Sequence, residues 1–180
     1  KTFTERRIFY KADISDSKAL KKIFSDHKDI EAIIHCAALV TVPESVKKPY
    51  LYYHENVSKS LELFKFASDS KIRIIFSSTA AVYKSSKDQM VTEDSPLGPD
   101  SPYARTKIAI EMALQDFCNA YGTKAISLRY FNPIGADPKM RSGPSADAPT
   151  HILGKLLSIF DGKESAFRIA GIDWPTRDGT

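Results

Sequence analysis

The sequence predicts an α/β fold in which a parallel sheet is covered by helices on both faces. Three observations carry that prediction. Short, β-rich apolar runs alternate four times with segments whose apolar residues recur at helical spacing. The apolar runs end in small or hydroxylated residues, the composition that suits the ligand-facing end of a parallel sheet. With 180 residues, 42% hydrophobic and 27% charged, the chain is large and apolar enough for a real core.

The elements follow in order. "RRIFY" (6–10) reads as a short strand. "SDSKALKKIFSDH" places Leu20, Ile23 and Phe24 on one helical face. "EAIIHCAA" (31–38) is a continuous apolar run that suits a strand buried on both faces. "LVTVPESVKK" reads as a polar loop. It leads through Pro49 into a helical pattern over 49–70, with Val57, Leu61 and Phe64 in phase. "IRIIFSS" (72–78) is the next buried strand, followed by a polar stretch over 84–101. Ser101 and Pro102 then open a helix as cap and first turn, and Gly122 is placed to end it. "KAISLRY" (124–130) is a strand, "THILGKLLSIFDG" a helix and "AFRIAG" a short strand. Composition shifts towards Gly, Pro and Asp after Tyr130. We therefore divide the chain into 1–132, the sheet domain, and 133–180, the start of a smaller lobe.

Several function classes are disfavoured. The net charge of +4 is spread along the chain, without a basic stripe interleaved with aromatics, so nucleic acid is not an expected partner. Cys36 and Cys118 lie far apart and the four histidines are dispersed, so neither a disulfide scaffold nor a metal site is expected. Both cysteines are read as small buried apolar groups, His35 as a core histidine, and His54 as a surface residue. A reducing cytoplasm is the expected setting. No apolar run reaches the roughly 20 residues of a membrane span, and "KTFTERRIFY" does not resemble a signal peptide.

The chemistry centres on "SPYARTK". Tyr103 and Lys107 stand four residues apart on a predicted helix, hence on one face. A phenol with its ordinary pKa near 10 must fall by about 3 units, roughly 4 kcal/mol, to act as a base near neutrality. A nearby ammonium, or an oxidised nicotinamide ring, favours the phenolate. Spacing alone is weak, because Tyr83 and Lys87 share it in a polar segment. Ser77, Ser78 and Thr79 at a strand end strengthen the case, since their hydroxyls could bond both a phenol and a substrate alcohol.

The stretches "ADISD", "AIIHCAA", "PESVKKPYLYYHENV", "IIFSSTAAVY", "SPYARTK", "LRYFNPIGADP" and "AGIDWPTRDGT" together resemble the extended short-chain dehydrogenase/reductase family, within it the nucleotide-sugar 4-epimerases. The resemblance implies a Rossmann-like sheet, NAD as cofactor, and transient oxidation at C4 of a nucleotide-linked hexose, as in the interconversion of UDP-glucose and UDP-galactose. It implies Tyr103 as the proton-transfer group, Lys107 as its tuner and a ribose contact, and Thr79 as the partner of the sugar's 4-oxygen. Asp13 and Ile14 would lie against adenine. Ala37, Ala38 and Leu39 would line the cofactor's phosphates and ribose, and Asn56 would reach it from the next helix. Ser77, Tyr130 and Phe131 would flank the nicotinamide side. Asn132 would contact the substrate's phosphate region, His151 and Ile152 its diphosphate or uracil, and Phe167, Arg168 and Ala170 its uridine. A homodimer through a helix bundle, built from 49–70 and 102–121, is also implied.

The sequence departs from that pattern in places. Val40 stands where many such epimerases carry a lysine. Only 8 glycines occur and none precedes Gly98, so the glycine-rich turn for a pyrophosphate is missing. The first βα unit is therefore expected to be absent, the chain to be an internal fragment, and one face of its sheet to lie bare. Ala80 and Ala81 follow Thr79 where related dehydratases and decarboxylases commonly carry an acid, which favours epimerisation over elimination. The alternatives are another nucleotide-sugar epimerase, dehydratase or reductase, or a non-catalytic binding module.

Overall fold

In the computed structural model, the described residues are 8–84, 90–139, 141–143 and 152–167. Three strands form a parallel sheet in the order β1 (Ala32–His35), β2 (Arg73–Ser77) and β3 (Ala125–Leu128). Ile33 pairs with Ile74 and His35 with Phe76, while Ile74 pairs with Ala125 and Phe76 with Ser127. This is a Rossmann-like parallel sheet flanked by helices, as the alternating pattern predicts.

Helix α1 (Ser17–Asp26) precedes β1 and is capped by the Asp16 carboxylate, which accepts from the backbone N–H groups of Lys18 and Ala19. Between β1 and β2 run α2 (Val42–Lys47), α3 (Pro49–Tyr52), a π-helical turn over Tyr53–Ser58, and α4 (Lys59–Asp69). Helix α5 (Pro102–Tyr121) joins β2 to β3. Ser101 caps it through Ala104, and Gly122 ends it at φ +67°, a left-handed conformation that a Cβ disfavours.

Both crossovers step in the same direction across the sheet, so their right-handedness puts α4 and α5 on one face. Phe64 and Ala67 of α4 meet Ile74 and Phe76 of β2 and Ile110 and Leu114 of α5 in one buried cluster. Each large apolar side chain there contributes about 1.5–3 kcal/mol by leaving water. On the opposite face the register aligns Ile34, Ile75 and Ile126, and Ile34 is 68% exposed. The bare face expected from the sequence is thus present among the described residues.

Some expectations need correction. Residues 8–10 form no strand, and Ile8 and Phe9 are exposed without a paired neighbour in the sheet. The segment read as a polar loop contains α2, because Pro43 in its first turn presets φ and lacks the N–H a helix start leaves unused. The helix over 49–70 is interrupted by the π-helical turn. Cys36 is exposed rather than buried, since it follows the last paired residue of β1. His35 is buried and His54 half exposed, as expected.

One compact unit spans Ile8–Asn132. In the other, which takes in the residues from Pro133 on, α6 (Ile152–Phe160) is a short helix with Leu156, Leu157 and Phe160 exposed. Ala166 and Phe167 are not strand, and the rest of "AFRIAG" lies outside the described residues.

Candidate active site

Tyr103 and Lys107 occupy the first two turns of α5, where Ser101 and Pro102 set the start of the helix. Lys107 is 3% exposed. Its ammonium donates to the Ser77 carbonyl at 2.7 Å, lies 4.8 Å from the Phe76 ring centre and 5.9 Å from that of Tyr103. Burial lowers its pKa from 10.5 to about 8, with Cys36 and Glu111 opposing the shift. The group thus remains a cation at neutral pH.

Tyr103 is half-buried, and its phenol lies above the ordinary value because desolvation outweighs the opposing effect of the Thr79 side chain. The lysine and tyrosine share a face as the spacing predicts, but the ammonium is engaged with a carbonyl, not with the phenol. The protein's own groups do not lower the phenol. A further positive charge beside it would favour the phenolate.

Thr79 stands just past β2. Its hydroxyl oxygen accepts from the Ala81 N–H at 3.2 Å, capping the 3-10 turn Ala80–Val82. Ala80 N–H donates to the Tyr130 carbonyl at 2.9 Å, which ties this turn to the segment after β3. Tyr130 and Phe131 are exposed there, and Phe131 stacks on Tyr83 at 6.3 Å. Asn132 follows with φ +35°, a left-handed conformation that asparagine tolerates better than most residues.

The end of β1 is positioned by Asn56, which is fully buried in the π-helical turn. Its side-chain carbonyl accepts from Leu39 N–H at 2.8 Å, and its amide donates to the Leu39 carbonyl at 3.0 Å and to the Thr106 hydroxyl at 3.2 Å. Thr106 in turn donates to the Tyr103 carbonyl at 2.6 Å. Asn56 thus braces Leu39 against α5. Ser60 links the same turn to His35 at 2.8 Å. Burial lowers His35 to about 4, with Lys107 adding to the effect, so its ring is neutral at pH 7.

Asp13 and Ile14 lie before α1. The Asp13 carboxylate accepts from Lys59 at 2.7 Å and from the Ser15 hydroxyl at 2.6 Å, and these bonds hold it well below the usual carboxylate range. Ile152 and Phe167 belong to the other unit, and His151, Arg168 and Ala170 lie outside the described residues.

Sequence reasoning overlooked Glu111, Arg129 and Thr106. Glu111 accepts from the Ser78 hydroxyl and from Arg129, whose Nη2 lies 2.7 Å away. The available signal was its place four residues beyond Lys107 on the same helix face.

The residues present fit part of a dinucleotide. Ala37 and Ala38 leave backbone accessible at the end of β1, while Ser77, Thr79, Tyr130 and one buried cation cluster at the ends of β2 and β3. That set suits a nicotinamide and its ribose. Among the described residues no group of His, Cys, Asp and Glu is arranged to hold a metal ion, and no helix is long and apolar enough to cross a membrane.

Residues 1–171 match the model of the NAD dependent epimerase/dehydratase family, and the chain belongs to that family. Within that family the chain is closely similar to UDP-sugar 4-epimerases. A UDP-glucose 4-epimerase of Lactobacillus helveticus is 39% identical over 173 residues, 96% of this chain and 52% of the relative. The crystal structure of UDP-glucose 4-epimerase from Brucella ovis with NAD has a TM-score of 0.86 at 34% identity, covering 96% of this chain and 53% of that one. A UDP-N-acetylglucosamine 4-epimerase from Methanobrevibacter ruminantium has a TM-score of 0.71 at 34% identity, covering 85% of this chain and 47% of that one. The chain thus spans about half the length of the curated relatives it matches.

Proposed function

We propose that this chain carries the proton-transfer half of an NAD-dependent enzyme that inverts C4 of a nucleotide-linked hexose. The observation behind this reading is the convergence of Tyr103, Thr79 and the buried Lys107 ammonium at the carboxyl ends of the strands. Family membership supports NAD and a nucleotide sugar as the cofactor and substrate class. UDP-glucose and UDP-galactose are the substrate pair we propose. Relatives include enzymes for N-acetylated sugars, so the other nucleotide-sugar reactions of the family form the second reading.

NAD, when bound, supplies the acceptor and donor of hydride. Tyr103 accepts the proton of the 4-hydroxyl in one direction and returns it in the other, as a general base and then acid. Thr79 bonds the 4-oxygen and the phenol. Lys107 contributes a fixed positive charge, and its bond to Ser77 keeps that charge in place. The surroundings hold Tyr103 above its ordinary pKa, and a cationic ring bound beside it would favour the phenolate. Ser77, Tyr130 and Phe131 flank the nicotinamide in this reading, and Asp13, Ile14, Ala37, Ala38 and Leu39 the rest of the cofactor. On the resemblance alone, Asn132, His151, Ile152, Phe167, Arg168 and Ala170 are proposed as substrate residues.

The test is Tyr103→Phe in a chain completed to the relatives' length, with UDP-galactose turnover followed by NMR. Turnover should fall by about 100- to 10,000-fold, the usual contribution of a positioned acid–base group. Retained turnover would remove Tyr103 from the mechanism. A product of altered mass, in place of an isomer, would favour the second reading.

A further inference from the structure

Helix α5 grips the end of β2 at two successive residues. Lys107 holds the Ser77 carbonyl at 2.7 Å, and Glu111, one turn further on, accepts from the Ser78 hydroxyl. The same carboxylate takes Arg129 Nε at 3.2 Å on each oxygen and Nη2 at 2.7 Å. Arg129 stands just past β3, donates onward to the Glu93 carbonyl at 3.4 Å, and lies over the Tyr83 ring at 4.9 Å. The two strand ends are already joined by backbone bonds, from Ser78 N–H to Leu128 and from Ala80 N–H to Tyr130, each 2.9 Å. Among the described side chains, the Glu111 carboxylate bonds both strand ends to the helix that carries Tyr103.

We propose that Glu111 is a positioning residue: through Ser78 and Arg129 it fixes the ends of β2 and β3 on α5 and so holds the Ser77 carbonyl against the Lys107 ammonium. The proposal rests on the reading of Tyr103 and Lys107 as the proton-transfer pair. Two features separate Glu111 from an ordinary surface ion pair. Its side chain is only 11% exposed, with Arg129 at 21%. It also completes a ring of contacts, Lys107–Ser77–Ser78–Glu111, that closes one helical turn over one strand end. Glu111 further places a negative charge near Lys107, which favours the protonated form. Among the described residues the other groups facing Lys107 are Tyr103 on its own helix, His35 at the end of β1 and Cys36 just past it.

The experiment is an NMR titration of the Lys107 Cε–Hε signals from pH 6 to 10 in this chain, the signals being identified by their loss in Lys107→Met. Two variants are compared with the parent. Ser78→Ala removes the bond to the strand end but leaves the Glu111–Arg129 pair and every charge in place. Glu111→Gln removes the charge and unpairs Arg129. Lys107 should titrate about half a unit lower in Ser78→Ala, a threefold loss of proton affinity, and about one unit lower, tenfold, in Glu111→Gln. In a completed chain, Ser78→Ala should lower kcat about tenfold with KM unchanged, the signature of a contact that matters only in the transition state. A Lys107 titration that stays at the parent value in folded Ser78→Ala would overturn the positioning role. If Glu111→Gln does not fold, Ser78→Ala decides alone. The titration needs no substrate, so a parent without epimerase activity would remove the proposed reaction and leave this result standing.

Discussion

Replacing Lys107 by methionine tests the electrostatics of the site without any ligand. Methionine keeps the length and the apolar stem but removes the charge. In the folded chain Lys107 falls from 10.5 to about 8. At 1.36 kcal/mol per unit, keeping that ammonium buried costs the fold about 3 kcal/mol at neutral pH. The sign follows from proton binding. The folded value is the lower one, so between about pH 8 and 10.5 the unfolded chain holds a proton that the folded chain has lost. Stability of the parent must therefore rise with pH across that window, and Lys107→Met must lack this rise. Urea unfolding of both chains, followed by far-UV circular dichroism at pH 7 and pH 10, measures the difference. The parent should gain about 2–3 kcal/mol on the variant between the two pH values. The lost packing and the other titrating groups enter equally at both pH values and cancel in the comparison. A gap between the variants that is the same at pH 7 and pH 10, to within about 0.5 kcal/mol, would refute the buried cation.

His35 gives the matching test on the acid side. Its folded value of about 4 lies below the unfolded 6.5, so stability is lost as pH falls through that range, and His35→Phe should flatten the loss by about 3 kcal/mol in urea unfolding. Asn56→Ala leaves both backbone groups of Leu39 without their partner and should destabilise the chain by about 2–4 kcal/mol, read as a lower urea midpoint at unchanged slope. Thr79→Val, in a completed chain, should lower turnover about tenfold or more while NAD affinity, measured by fluorescence, stays the same. An effect on stability alone would make Thr79 a structural cap.

Much of the fold around this site is legible in the amino-acid sequence. Ser101, Pro102 and Gly122 mark the ends of α5, because caps and left-handed glycines act within a few residues of chain. The apolar runs mark β1, β2 and β3, although the face that carries Ile34 and Ile126 is exposed rather than buried as such runs lead one to expect. The stretch before α3 misleads because α2 is a short helix whose polar residues, among them Glu44 and Lys47, hide its period. Residues 8–10 mislead because an apolar run has strand character only when another strand pairs with it.

The sequence by itself determined that Tyr103 and Lys107 share a face, since the 3.6-residue period of a helix is a local property of its hydrogen-bond ladder. It also determined that hydroxyls would stand at the end of β2. Only the tertiary structure decided where the charges point. Lys107 meets a carbonyl thirty residues away in the chain, Glu111 joins two strand ends, and burial sets the phenol of Tyr103 above its ordinary value. These outcomes depend on desolvation and on partners brought in by packing, and neither is a property of spacing along the chain.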